Sequence, residues 1–431
     1  MGTDTLDSIK AAGWLKEANY IAGQWLGADD GSTYDVENPA DESRIGSIPW
    51  AGVAETRRAV DAAQQAFATW SMTTAAERAE KLHRMARIVR DNLDMLAAML
   101  TLEQGKPLAE ARNEIKLGAD CIQWFAEEAR RINGEIVPSP WKDRQILVTR
   151  EPVGVVAAIS PWNFPFSMLS RKVAPALAAG CTIVIKPSEF TPYSGLIYAA
   201  LAEKAGIPPG VVNVVTGDGA VVGGELSRNP LVRKLTFTGS TRVGKLLYKQ
   251  SAETMKKLSL ELGGNAPTIV FDDADLDLAV ENAVNGKFRN SGQTCVCTNR
   301  FYVQDGIYDE FTRRFTERVR QLKVGNGFDE GVEQGPLINL AAVLKVESHV
   351  EDAKSKGGRV LLGGKRHALG ATFFEPTVIA DATPDMLIAQ EETFGPVAAL
   401  FRFDDEQEAI AAANATEFGL AAYFYTRDLA R

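Results

Sequence analysis

A chain of 431 residues, at roughly 150 residues per domain, has room for two or three domains and is too long for one small binding module. Its 45% hydrophobic and 24% charged residues are ordinary for a globular protein and exclude a disordered or collagen-like chain. With 47 Lys and Arg against 56 Asp and Glu the net charge is −9, and no basic run is long enough to overcome it, so nucleic acid is a poor partner.

The start, Met1 to Lys10, carries Asp4 and Asp7 and no apolar core, so no signal peptide is expected. From Val53 to Ile132 apolar residues recur at three- and four-residue spacing (Leu82, Met85, Ala86, Val89; then Ile115, Ile122, Phe125, Ala129), which predicts an all-helical preface. Residues 133–151 hold Pro138, Pro140 and the alternating Gln145 to Thr149, a hairpin or arm whose exposed edge suits subunit contact. The uncharged run from Pro152 to Ser170 is broken by Pro161, Asn163 and Pro165, so it is no membrane helix. After Val153, short apolar strands alternate with helices: Val153 to Ile159, Thr182 to Lys186, Val211 to Val215, Lys234 to Phe237 and Leu258 to Leu262. This is an α/β pattern, a doubly wound parallel sheet. A second alternation follows, with helices near Asp275 to Asn290 and Ile307 to Leu322 and strands near Phe301, Val360 and Val397 to Phe403, giving a second α/β domain. Ala421 to Tyr425 reads as a strand, and Arg427 to Arg431 as the first turn of a helix, so the chain looks as if it stops within a domain. Cys121, Cys181, Cys295 and Cys297 make neither a disulfide framework nor a zinc site, and a cytoplasmic location is expected.

Several short stretches carry chemistry. Gly239 to Lys245 fits the GxxxxGK phosphate-loop pattern, but Leu246 follows where a magnesium-binding hydroxyl is needed, which weakens an ATPase reading. Gly239 and Ser240 nonetheless open a predicted helix after a strand, where backbone N–H groups and the helix dipole bind phosphate; a plain strand-to-helix turn explains them equally. Lys186 to Glu189 follow an apolar strand, where Lys186 and Glu189 can meet ribose hydroxyls or the stretch can serve as a polar loop with a helix cap. Glu261 ends a strand beside Gly263 and Gly264, a place for a general base or for a solvated strand face. Cys295 sits in a Gly/Thr/Gln loop after Arg289; no His lies in these motifs, so Glu261 is the candidate base. Rigid prolines flanking Asn163 suit an oxyanion donor or a buried aromatic turn.

Together these pieces resemble the aldehyde dehydrogenase superfamily. The resemblance rests on Asn163 in Pro161-Trp162-Asn163-Phe164-Pro165, Lys186 with Glu189, Gly239-Ser240-Thr241 with Gly244, Leu260 to Gly264, Gly292 to Cys295, and Glu392-Thr393-Phe394-Gly395-Pro396, in the family's order over nearly the whole chain. Glu103 to Leu108, Lys287 to Asn290 and Cys295-Val296-Cys297 look like the succinate-semialdehyde dehydrogenase branch. The resemblance implies an NAD(P)-binding domain over 1–132 and 152–260, an oligomerisation arm over 133–151, and a catalytic domain over 261–431. It implies Cys295 as nucleophile, Asn163 with the Cys295 backbone N–H as oxyanion hole, and Glu261 as activator of the deacylating water. Lys186 and Glu189 would bind the cofactor's adenosine ribose, and Trp162 and Ser188 would also contact the cofactor. Gly219, Gly239 and Ser240 would lie along its pyrophosphate, and Glu392 with Phe394 would hold the nicotinamide ribose. Arg171 and Arg289 would grip a distal carboxylate, and Cys297 would act as a redox partner of Cys295. The cofactor implied is NAD, with NADP possible, and no metal. The implied reaction adds thiolate to the aldehyde, passes hydride to the nicotinamide and leaves a thioester for water. Family members run a few tens of residues further, so homo-oligomer formation is expected only where that carboxyl-terminal segment is present. The alternatives are an aldehyde dehydrogenase of other specificity, or a truncated, catalytically silent scaffold of the same fold.

Overall fold

The computed structural model describes residues 2–431. It divides into two compact units, one made of the chain up to Glu37, Arg44–Glu103 and Ala111–Glu261, the other of Asn38–Ser43, Gln104–Glu110 and Leu262–Arg431.

The first unit is built on a seven-stranded sheet in the order Lys257–Glu261, Val232–Thr238, Val155–Ile159, Thr182–Lys186, Val212–Val214, Asn19–Ile21 and Gln24–Leu26. The first five strands are parallel. Val155–Ile159 and Thr182–Lys186 are buried at every position, which is why their centres read as apolar runs: helices cover both faces of a parallel sheet. Helices Val53–Trp70, Ala75–Asp91, Leu93–Gln104 and Leu108–Glu128 form the expected preface. The last two strands were not anticipated. They are antiparallel and only three residues long, joined by Ala22 and Gly23 at φ 54° and 82°, too short for an alternating pattern to register. A separate pair, Thr33–Glu37 with Arg44–Pro49, was also missed. Glu135–Val137 pairs antiparallel with Ile146–Val148, setting the exposed Ile136 opposite the exposed Leu147.

The second unit carries a six-stranded sheet, Arg359–Leu362, Thr377–Ala380, Val397–Phe403, Thr298–Gln304, Ala266–Val270 and Tyr423–Tyr425, parallel except at the first pair. Its two faces bury separate clusters, one around Val346, Phe401 and Met386, the other around Phe301, Phe311 and Phe315. Ala266–Val270 escaped the sequence reading because Pro267 argues against a central strand; the ladder accommodates it with a register shift between Ala266 and Pro267.

Two expectations need correction. Segments 38–43 and 104–110, placed with the cofactor domain by the linear division, belong to the second unit: Thr372 Oγ1 donates to Pro39 O at 2.9 Å and Leu108 N to Gly327 O at 2.8 Å. Residues 427–431 are a bend and a short turn at 429–430 and not helix, with Asp273 Oδ2 accepting from Arg427 N and Asp428 N at 3.0 and 3.1 Å. Among the described residues no helix is long and apolar enough to cross a membrane, and no group of three or more His, Cys, Asp or Glu could hold a metal ion.

Candidate active site

In the first unit the candidates follow the carboxyl ends of five parallel strands, and therefore lie at one edge of the sheet. Asn163 follows Val155–Ile159, Lys186 ends Thr182–Lys186, and Ser188 and Glu189 come next. Gly219 opens the helix Gly219–Arg228, Gly239 and Ser240 precede the helix Thr241–Ser251, and Glu261 ends Lys257–Glu261. Val155–Ile159 lies between Thr182–Lys186 and Val232–Thr238, so strand order reverses there, the place where open α/β sheets bind ligands.

Lys186 is buried and its Nζ lies 3.0 Å from Glu189 Oε2, while Ser188 Oγ accepts from Phe190 N. Asp218 caps the helix beginning at Gly219 through Ala220 N and Val221 N, and Ser240 caps the next through Val243 N. Gly239 N donates to Glu261 O at 3.0 Å, tying neighbouring loops together. Two helix starts and a Lys–Glu pair along this edge fit a diphosphate flanked by a ribose. Leu246, nearly half exposed, offers no hydroxyl to a nucleotide-bound metal, which disfavours the ATPase reading.

Asn163 is buried in a turn whose following helix, Pro165–Ala178, is fixed by a residue far away in sequence: Glu114 Oε1 accepts from Phe166 N at 3.0 Å and Ser167 N at 3.1 Å. Trp162 is half-buried in the same turn, and Arg171 is exposed on that helix. The next residue, Lys172, is buried, with Nζ donating to Thr238 Oγ1 at 2.7 Å and Thr236 Oγ1 at 3.2 Å. Burial lowers its pKa to about 8 against the opposing pull of Glu261.

In the second unit the candidates collect at the amino ends of three adjacent parallel strands, Ala266–Val270, Thr298–Gln304 and Val397–Phe403. Gly264 N donates to Glu392 Oε1 at 3.1 Å, and any Cβ on Gly264 would collide with Cys295 O, so only glycine fits. Asn299 Nδ2 donates to Asn265 Oδ1 at 2.7 Å and to Glu391 O at 2.9 Å, and its Oδ1 accepts from Thr393 N, so one amide joins all three loops. Burial raises the Glu392 carboxyl above its usual range. Phe394 is half-buried at φ 56°.

Cys295 is half-buried and follows three consecutive left-handed residues, Asn290, Ser291 and Gly292 at φ 51°, 54° and 74°. Two of these carry side chains, at about 1–2 kcal/mol each. The helix ends at Phe288, with Arg289 exposed at the bend. Cys297 is buried, Sγ donating to Lys287 O at 3.4 Å, and burial pushes its thiol pKa up.

His349, which lies outside the motifs in the sequence and falls in the helix Leu340–Ser355, packs against the loop that carries Glu392. It is buried, with Nδ1 3.2 Å from Thr393 Oγ1 and Nε2 3.5 Å from Glu391 Oε2. Burial, then the Lys345 ammonium, pushes its pKa down to about 4, outweighing the opposing pull of Glu391 and Asp352. The folded imidazole is therefore neutral. Between its ordinary 6.5 and about 4 the unfolded chain binds a proton that the folded chain refuses, so stability is full above 6.5 and falls as pH drops through that window. The loss should reach roughly 3 kcal/mol. Urea unfolding at several pH values checks this: His349→Gln should flatten the fall, and an unchanged slope would refute it.

Sequence reading missed Glu110, Glu114, Lys172, Asn299 and His349. Glu114 and Lys172 left a trace: each is a charge within an apolar helical stripe, beside Ala111, Ile115 and Ala119 in one helix and Leu169 and Val173 in the other. Asn299 left none, since a polar residue opening a strand is ordinary.

The sequence model of the aldehyde dehydrogenase family matches residues 25–431. The chain is 56% identical over 423 residues to glutarate-semialdehyde dehydrogenase of Pseudomonas aeruginosa, covering 98% of this chain and 88% of that one. It is 56% identical over 417 residues to the NADP(+) succinate-semialdehyde dehydrogenase of Escherichia coli, covering 97% and 86%. The crystal structure of succinate-semialdehyde dehydrogenase from Burkholderia pseudomallei superposes with a TM-score of 0.96 at 57% identity, covering 97% and 87%. These relatives are named for aldehyde oxidation, which favours the enzyme over the silent scaffold. The chain belongs to the aldehyde dehydrogenase family.

Proposed function

We propose that this aldehyde dehydrogenase converts succinate semialdehyde to the acid with NAD, and with NADP as the weaker cofactor. The observation that carries the reading is the row of Asn163, Lys186, Gly219, Gly239 and Glu261 along the carboxyl edge of one parallel sheet. In this reading the Cys295 thiolate forms a C–S bond to the carbonyl carbon, and the resulting alkoxide is received by Asn163 and the Cys295 N–H. Bound NAD(P) supplies the hydride acceptor. Glu261 then takes a proton from the water that cleaves the thioester, releasing the acid and restoring the thiolate. Cys297 stands two residues from the nucleophile as a reversible redox partner, and would have to leave Lys287 O to act. A cytoplasmic location completes this reading, and the exposed pair Ile136 and Leu147 suits subunit contact in a homo-oligomer where the carboxyl-terminal segment of the family is present.

Arg171 and Arg289, both exposed, are assigned to the substrate's distal carboxylate, which two guanidiniums grip with charge-assisted bonds. Succinate semialdehyde should exceed uncharged butyraldehyde in kcat/KM by at least about tenfold, roughly 1.4 kcal/mol, and Arg289→Leu should erase most of that gap. Equal use of both aldehydes by the wild type would sink the carboxylate assignment. Glutarate semialdehyde is the second reading, favoured by the Pseudomonas relative's name, and belongs in the same assay.

Glu189 should make NAD the better cofactor, because its carboxylate accepts from ribose hydroxyls and repels a 2′-phosphate. Lys186 at 3.0 Å offsets part of that repulsion but cannot remove the acceptor. Equal or higher kcat/KM with NADP would overturn the assignment, and Glu189→Gln should narrow the preference.

A further inference from the structure

The segment Gln104 to Leu108 plays no part in the reaction outlined above, yet it and the first turn of the helix after it lie against the cysteine loop. Gly105 packs on Pro336, where a Cβ would come within 2.5 Å of Cγ, and a Cβ on Gly335 would strike Gly105 O. Ser291 Oγ donates to Gly335 O at 2.9 Å, and Gln293 is held on both sides, its Nε2 donating to Pro336 O and its Oε1 accepting from Ile338 N. From the first turn of helix Leu108–Glu128, both carboxylate oxygens of Glu110 accept from Asn290 N, at 2.9 and 3.2 Å.

Asn290 is the first of the three left-handed residues, and its N–H follows Arg289 directly. A carboxylate there fixes the point where the chain leaves the helix and enters the strained run. At the other end of the run, a Cβ on Gly292 would collide with Gly395 O, so the run also sets the spacing between the Cys295 loop and the Glu392 loop. Left-handed backbone with side chains persists only where its surroundings over-determine it.

We propose that Glu110 is a positioning residue: its carboxylate clamps Asn290 N and so holds the Cys295 loop, and Arg289 with it, in the geometry the reaction uses. The proposal rests on Cys295 being the nucleophile. It acts through geometry and not through charge, and two variants separate these. Glu110→Gln keeps an acceptor at the right distance without the charge; Glu110→Asp keeps the charge but withdraws the oxygens by one methylene.

The test reads the rate of Cys295 alkylation by iodoacetamide, followed by peptide mass, beside kcat and KM for the full chain. Glu110→Ala and Glu110→Asp should lower kcat by about tenfold or more, the cost of a displaced reacting group, with KM for cofactor little changed. The released loop should expose the half-buried thiol and speed alkylation by at least about fivefold, and Glu110→Gln should restore both readings to within about threefold. If Glu110→Ala fails to fold, the Asp and Gln pair decides alone. Disturbance in Ala and Gln with Asp like wild type would mean a charge effect and overturn the clamp, as would wild-type values in all three. Retained activity in Cys295→Ala would instead overturn the nucleophile reading, leaving the alkylation rates as the measure of loop geometry.

Discussion

Cys295→Ala should abolish aldehyde oxidation, with kcat lower by on the order of 10⁴-fold or more, while leaving cofactor affinity unchanged. An aldehyde carbon carries no hydride that can leave until a nucleophile has made it tetrahedral, so losing the thiol removes the step on which the others depend. The substitution itself is mild. Cys295 is only half-buried, and the contact that shapes the loop is made by its backbone carbonyl against Gly264, which alanine preserves. The groups assigned to the cofactor's adenosine and pyrophosphate belong to the first unit, and Glu392 is held by Gly264 N without help from the thiol. Nicotinamide absorbance at steady state measures the first half of the prediction, and quenching of protein fluorescence by NAD the second. Sustained turnover in the variant would remove Cys295 from the mechanism.

Legibility in the sequence followed burial. The parallel strands of the first sheet stand out because helices cover both faces, leaving five or so consecutive apolar residues and a polar break at each carboxyl end. Those breaks hold Asn163, Lys186, Gly239 and Glu261, so the candidates of the first unit are marked by their position at strand ends. Those of the second unit are not. Glu392 and Phe394 precede a strand, and nothing in their spacing says that Asn299 and Gly264 will hold them beside Cys295; the family resemblance was needed.

The supporting carboxylates are hidden for a related reason. Glu103 accepts from Tyr193 N and Ser194 N, Glu114 from Phe166 N and Ser167 N, and Glu110 from Asn290 N, across separations of 52 to 180 residues. Each satisfies donors at a helix start or strained turn that has no local cap, and local sequence carries no sign of a partner so distant. Burial raises the pKa of Glu103 to about 8, which its three hydrogen bonds only partly offset.

Glu261→Gln should split the reaction in two. Hydride transfer precedes the step that needs a base for water, so mixing the variant with aldehyde and cofactor should give a burst of one reduced nicotinamide per active site. Turnover should then slow by roughly 10²- to 10⁴-fold, the usual worth of a positioned general base. The glutamine is close to isosteric, and the strand end stays pinned because Gly239 N bonds to the backbone carbonyl of residue 261 and not to its side chain. A second effect follows from Lys172. Its pKa of about 8 already reflects the nearby Glu261 charge, which favours the ammonium. Without that charge the pKa should fall further, so any basic limb that Lys172 contributes to the pH dependence should move to lower pH in the variant. Rapid-mixing absorbance gives the burst, and quenching in acid followed by mass measurement detects the acyl group on Cys295. A variant with no burst and no acyl group would show that Glu261 is needed before the thioester forms, and its assignment to the deacylating water would fail.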